Sequence, residues 1–125
     1  MDFEALLDDI RSRKGYAGQI HHLAVLPARP ARYADLSVHL HPTVEAILQR
    51  LGIRRFYQHQ VEAIEAALGG ENVVVVSGTA SGKTLCYVVP LAKHLYERPT
   101  SRALLIYPTK ALAQDQLRRL KEFGA

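Results

Sequence analysis

Residues 73–96, VVVVSGTASGKTLCYVVPLAKHLY, constrain the chain more than any other stretch. Val73 to Val76 are four consecutive β-branched residues without a polar interruption, the pattern of a strand covered on both faces. Small residues follow at once, from Ser77 to Gly82. Lys83 and Thr84 then open a segment whose apolar positions, Leu85, Val88, Val89, Ala92 and Leu95, recur at helical spacing. Strand, small-residue turn and Gly-Lys-Thr at a helix start form the layout of a phosphate-binding loop. Small side chains let successive backbone N–H groups turn toward phosphate oxygens, and the helix start adds its positive dipole end. On this reading Ser77, Gly78, Thr79, Ala80, Ser81 and Gly82 cradle the phosphates of ATP. Lys83 reaches the β- and γ-phosphates, and the Thr84 hydroxyl takes one position on Mg²⁺. The strict GxxxxGK[ST] pattern asks for glycine where this chain has Ser77. An ordinary glycine turn is the competing explanation, and the apolar run before and helical run after the turn favour the nucleotide.

Composition narrows the setting. A chain of 125 residues with 48% hydrophobic and 22% charged residues can bury one modest core, unlike a disordered chain. The net charge of +4 suits an acidic partner such as nucleic acid, and equally a slightly basic soluble enzyme. Cys86 is the sole cysteine, so an internal disulfide or a cysteine-based zinc site is excluded. A lone thiol fits a reducing, cytoplasmic environment. The acidic start Met1-Asp2-Phe3-Glu4 is unlike a secretory signal, and no apolar run approaches the ~20 residues that cross a bilayer. The expectation is a cytoplasmic protein with no membrane partner.

Along the chain, Phe3, Leu6, Leu7 and Ile10 predict an amphipathic helix over 2–13, stopped near Gly15. Gly15, Gly18, Pro27, Pro30 and Pro42 punctuate a mostly extended connection, in which Arg29 and Arg32 flank Pro30 as a solvated loop. His21, His22, His39 and His41 lack carboxylates or thiols at ligand spacing, which argues against a metal centre there. Helices are expected from Pro42 to Leu51, ended by Gly52, and from Gln58 to Leu68, ended by Gly69 and Gly70. Pro90 should kink the helix after the turn. Ala103 to Tyr107 reads as a second buried strand. A last helix should turn Ala113, Leu117 and Leu120 inward, with Gly124 as its C-terminal cap. Strand, helix, strand, helix is an α/β signature, with a parallel pair of strands and helices over both faces. Two strands make a poor sheet, so the chain reads as the opening of a larger domain.

Two further constellations accompany the loop. Gln60, 23 residues before Lys83, carries an amide with both donors and an acceptor, the complement of adenine's N6 donor and N7 acceptor. Pro108-Thr109-Lys110-Ala111-Leu112-Ala113-Gln114 places a strand end against a helix start. There Thr109 can cap while free N–H groups and Lys110 suit a backbone phosphate, so Pro108, Thr109 and Lys110 are the candidate nucleic-acid contacts. Each alone has a plainer explanation, a solvated glutamine or simple capping.

In order and spacing, FYQHQVEAIEAALGGENVVVVSGTASGKT followed by LLIYPTKALAQDQ resembles the start of the first motor domain of DEAD/DEAH-box helicases of superfamily two. Gln60 matches the family's adenine-reading Q motif. Ser77 to Thr84 match motif I, with Ser77 and Ala80 in place of the usual Ala and Gly, and Pro108 to Gln114 match motif Ia. The forms LPARPARYADL, LGIRRFYQHQ, TASGKTLCY and PTKALAQDQ resemble the MrfA/YprA-like branch, which is related to RecQ-type repair enzymes. The resemblance implies an α/β, RecA-like P-loop NTPase fold of which this chain is the N-terminal part. Residues 1–52 would be a helical and extended segment, and residues 53–125 the beginning of the ATP-binding domain. It further implies ATP hydrolysis coupled to translocation on nucleic acid, DNA rather than RNA, in DNA repair. No D-E-A-D/H sequence occurs, so the chain by itself is expected to be inactive. The alternatives are another P-loop NTPase or small-molecule kinase, and a nucleotide-binding module without turnover. Oligomeric state is left open.

Overall fold

The computed structural model describes residues 2–27, 30–78 and 81–124. The chain falls into two compact units, Met1–Pro30 and Ala31–Ala125. In the first, helix α1 spans Phe3–Ser12 as its periodicity predicts. The Asp2 carboxylate caps it, accepting from the N–H groups of Glu4 at 3.1 Å and Ala5 at 3.4 Å. Near its end Arg13 pairs with Asp9 at 2.7 Å across one turn. No regular element follows in the rest of this unit among the described residues.

The second unit runs β1 (Tyr33–Ala34), α2 (Pro42–Arg50), β2 (Phe56–Tyr57), α3 (Gln58–Leu68), α4 (Lys83–Glu97) and α5 (Lys110–Glu122). Strands β1 and β2 pair antiparallel, Tyr33 opposite Tyr57 and Ala34 opposite Phe56. A bond from the Gln58 N–H to the Arg32 carbonyl at 2.9 Å extends the pairing. Their brevity leaves too few residues for alternation to register, and the segment around Tyr33 had read as a plain connection. Helix α2 begins with Pro42 in its first turn, where a missing N–H costs nothing. It ends at Gly52, whose φ of +75° is open to glycine and strained for other residues. Helix α3 closes in the same way at Gly70, φ +83°.

The core lies among these helices. Val44, Ile47 and Leu48 of α2, Ile64 of α3, Val88, Val89 and Ala92 of α4, and Leu120 and Phe123 at the end of α5 form one buried cluster. Thus α2, read in the sequence as part of the preceding segment, contributes to the second unit's core. Helix α4 continues through Pro90 as a single run of 15 residues, giving up one backbone donor at a buried position. In α5 the inward face is Ala113, Gln116, Leu120 and Phe123, while Leu117, expected inside, is 52% exposed. Between Ala113 and Leu120 helical spacing admits either Gln116 or Leu117, and it is Gln116 that turns inward, where its amide meets the Tyr87 hydroxyl. Arg50 reaches the α5 terminus, donating from Nη2 to the Glu122 carbonyl at 2.8 Å, one of the acceptors a helix end leaves free.

The two apolar runs depart from expectation. Among the described residues neither Val73–Val76 nor Ala103–Tyr107 enters a hydrogen-bonded ladder, and no parallel pair forms. Val74, Val76, Leu104 and Ile106 are 81–91% exposed, whereas Val75 and Tyr107 are half-buried. One side of each run meets the helices and the other meets solvent. A strand buried on both faces needs a second layer and lateral partners, and residues 31–125 supply cover for one face.

Such open apolar runs favour edge-to-edge association. Residues 1–125 produced alone should therefore self-associate. Introducing lysine at Val74 and Ile106 should shift the material toward monomer without lowering its melting temperature. Size-exclusion chromatography with light scattering checks this, and an unchanged mass distribution would contradict it.

Candidate nucleotide-binding site

The phosphate-loop candidate joins the apolar run at Val73 to the start of α4. Thr79 and Ala80 lie outside the described residues. Around them the Lys83 ammonium donates to the Ser77 carbonyl at 2.8 Å and the Gly78 carbonyl at 2.5 Å. The hydroxyls of Ser77 and Ser81 stand 3.3 and 3.4 Å from the same nitrogen. Three N–H donors thus meet a ring of loop oxygens, holding the positive charge inside the loop's curve. Ser77, the departure from the strict motif, has a visible role. Its Oγ bonds Ser81 Oγ at 2.6 Å and links one end of the loop to the other.

Two neighbours on α3 brace the end of the loop. Gln60 is 2% exposed, and its Oε1 accepts from the Tyr57 N–H at 2.9 Å, closing the first turn of α3. Its Nε2 donates to the Gly82 carbonyl at 3.0 Å. His59 Nε2 lies 3.1 Å from the carbonyl of Ser81, a contact that makes the ring a donor there. Gly82 precedes α4 at φ +73°, and a Cβ built on it would fall 2.4 Å from Gln60 Nε2. The left-handed backbone conformation requires glycine, and a Cβ would also displace the Gln60 amide. With glycine as the N-cap, α4 has no side-chain cap; the Leu85 N–H bonds the Gly82 carbonyl at 3.1 Å, which leaves the N–H groups of Lys83 and Thr84 for an anion.

Beside Gly82 an open cleft of about 500 Å³ is lined by Tyr33, Arg54, Arg55, Tyr57, Gln60 and Leu85, among others. The β1–β2 register puts the Tyr33 and Tyr57 rings in a stack, centroids 5.1 Å apart, and the Tyr57 ring also stacks on His59 at 5.8 Å. The Arg55 guanidinium lies 4.6 Å from the Tyr33 centroid. Sequence reasoning missed Tyr33, Arg55, Tyr57 and His59. Tyr57 and His59 stand beside Gln60 in FYQHQ, a signal that was available, but the pairing with Tyr33 spans 24 residues and left none.

The third constellation sits at the start of α5. Thr109 is its N-cap and its Oγ1 accepts from the Leu112 N–H at 3.3 Å. Pro108, Thr109 and Lys110 are all exposed. Deeper in α5, Gln116 Oε1 accepts from the Tyr87 hydroxyl at 2.8 Å, and the Tyr107 hydroxyl lies 3.4 Å from that of Tyr87. Burial pushes the Tyr87 phenol up to about 12, so it stays protonated and able to donate. Burial likewise raises the Cys86 thiol, against the opposing charge of Lys83. Among the described residues no helix is long and apolar enough to cross a membrane, and no three His, Cys, Asp or Glu side chains gather as a metal site.

A triphosphate fits this arrangement. The ammonium inside the loop can exchange carbonyl partners for phosphate oxygens, and uncapped N–H groups face the same region. The half-buried Thr84 next to Lys83 is the one hydroxyl at the first turn of α4 suited to Mg²⁺.

Comparison with known proteins bears on the same residues. The family described as DEAD/DEAH box helicase matches residues 57–125. The ATP-dependent helicase HRQ1 of Saccharomyces cerevisiae is 40% identical over 116 residues, covering 93% of this chain and 10% of that protein. The uncharacterized ATP-dependent helicase YprA of Bacillus subtilis is 37% identical over 122 residues, covering 98% of this chain and 16% of YprA. A crystal structure of the DUF1998 helicase MrfA bound to DNA and AMPPNP superposes with a TM-score of 0.70 at 40% identity. It covers 78% of this chain and 14% of that one, so the sequence spans a small part of the length of these relatives. The match implies a RecA-like helicase fold, seen here in part, as helices and a small sheet. The matched segment contains Gln60, the loop from Ser77 to Thr84 and the Pro108–Gln114 turn, and the chain, similar over its length to MrfA and YprA, belongs to the DEAD/DEAH box helicase family.

Proposed function

We propose that this chain forms the ATP-binding portion of a DNA-dependent ATPase and helicase acting in DNA repair in the cytoplasm. The observation that carries the reading is the Lys83 ammonium gathered inside a loop whose last residue is clamped by Gln60. Lys83 and the loop backbone from Ser77 to Gly82 would hold the β- and γ-phosphates of ATP, and Thr84 would ligate Mg²⁺. ATP supplies the phosphoanhydride bond whose cleavage drives movement along a strand.

The adenine would enter the cleft between Tyr33, Tyr57 and Arg55. After its bonds to the Tyr57 N–H and the Gly82 carbonyl, the Gln60 amide keeps one acceptor lone pair and one N–H. Those are the groups that adenine's N6 and N7 require. Gln60 thereby has two roles, shaping the loop and choosing the base.

Pro108, Thr109 and Lys110 would meet the sugar-phosphate backbone through the exposed start of α5, contacts that position a strand without reading its sequence. DNA is the favoured polynucleotide, supported by the MrfA complexes, and the net charge of +4 is compatible with any nucleic acid. Membership of a helicase family disfavours a small-molecule kinase.

Lys83→Ala should abolish tight binding of a fluorescent ATP analogue to the whole protein carrying this sequence; equal affinities in titration would remove the nucleotide site. Gln60→Ala should weaken ATP binding and reduce ATP-over-GTP selectivity by about 1–3 kcal/mol, the magnitude of a two-bond base contact. Competition titration measures this, and unchanged selectivity would remove the base contact. Lys110→Ala should weaken single-stranded DNA binding about equally across sequences and lower the salt slope by roughly one counterion. A loss confined to one base composition would contradict a backbone contact.

A further inference from the structure

We propose that Tyr87 is a positioning residue that links the phosphate loop to the polynucleotide-facing start of α5. This rests on the ATP and DNA reading above. Tyr87 lies one turn beyond Thr84 on α4, the helix that the phosphate loop opens into. The phenol donates to Gln116 Oε1 at 2.8 Å. Because it has one proton, the contact at 3.4 Å is a bond donated by the Tyr107 hydroxyl. Tyr107 immediately precedes Pro108, and Gln116 lies two turns beyond Thr109, so one hydroxyl is tied to both sides of the exposed segment 108–110.

Gln116 is the reason to see more than packing. It is 9% exposed, on a face whose other buried positions are Leu120 and Phe123. A leucine or methionine would fill such a position without needing a partner. Among the described residues the amide's other end reaches only the adjacent Asp115 carboxylate, at 3.5 Å, and Asp115 pairs with Arg119 at 3.4 Å. A contiguous polar connection therefore runs from the loop helix into α5, through an otherwise apolar contact region. A displacement of α5 by a strand held at Thr109 and Lys110 reaches α4 through it, one turn beyond Thr84. By linkage, occupancy of the nucleotide site biases α5 in return.

The test compares wild type, Tyr87→Phe, Gln116→Leu and the double variant in the whole protein carrying this sequence. The readout is the ratio of ATP turnover with and without single-stranded oligo-dT, at saturating MgATP, alongside melting temperature. Each single variant is expected to lower the ratio about fivefold, the equivalent of one net hydrogen bond. Turnover without DNA should be preserved, and the double variant should lose no more than either single one. Variants that keep the wild-type ratio would overturn the link alone. Parallel loss of both rates with a lowered melting temperature would also overturn it, as a merely structural role. A wild type whose turnover ignores DNA would overturn the link together with the reading beneath it.

Discussion

The contact of α3 with α4 is the constraint on which the site depends. Ile64 on α3 and Val88 and Val89 on α4 are within 1% of complete burial. Each such side chain contributes roughly 1.5–3 kcal/mol on leaving water. The two bonds of Gln60 contribute only about 0.5–1.5 kcal/mol apiece. Apolar burial therefore brings the helices together, and the polar contacts fix their ends relative to each other. Gln60 and Gly82, 22 residues apart, meet because the apolar faces beneath them have no better place to go. The close approach then favours glycine, since a Cβ at position 82 would displace the Gln60 amide.

The fit between helices contrasts with the state of the two apolar runs. Val75 and Tyr107 turn toward the helices while Val74, Val76, Leu104 and Ile106 face water, so each run has the alternation of a sheet with one covered face. Their composition demands two covered faces. The disagreement between composition and surroundings is itself informative: it marks the surface along which further structure is required. It also explains why two-residue strands are the sheet that does form. Tyr33 to Ala34 and Phe56 to Tyr57 need only each other.

Polar side chains in the second unit are used economically. The Glu65 carboxylate accepts from the Ser37 N–H at 2.6 Å, pinning the stretch before α2 to α3, and that bond holds its carboxyl below the usual range. His41 Nδ1 accepts from the Thr43 N–H at the start of α2 while its ring stacks on Tyr96 of α4. Tyr96 in turn donates to the Phe123 carbonyl at 3.0 Å. Helix ends, where backbone groups are left over, are thus tied to neighbouring elements, which orders the site without adding apolar surface.

The sequence by itself determined whatever is local. Apolar spacing set α1, α2, α3, α4 and α5 nearly to their observed limits, and the small-residue run before Lys83 marked the loop. Those signals are periodicities and caps, which depend on neighbours within a few residues. Gln60, Ser77 to Thr84 and Pro108 to Lys110 could be named from motif chemistry because each motif is contiguous. Only the tertiary structure decided that Ser77 closes the loop on Ser81, that Tyr33 stacks on Tyr57, and that Gln116 rather than Leu117 turns inward to Tyr87. It also decided that the two apolar runs lie unpaired, since pairing depends on which partners are within reach and no residue carries that information. Long-range contacts are selected by what else must be buried at the same moment, a property of the whole packed unit.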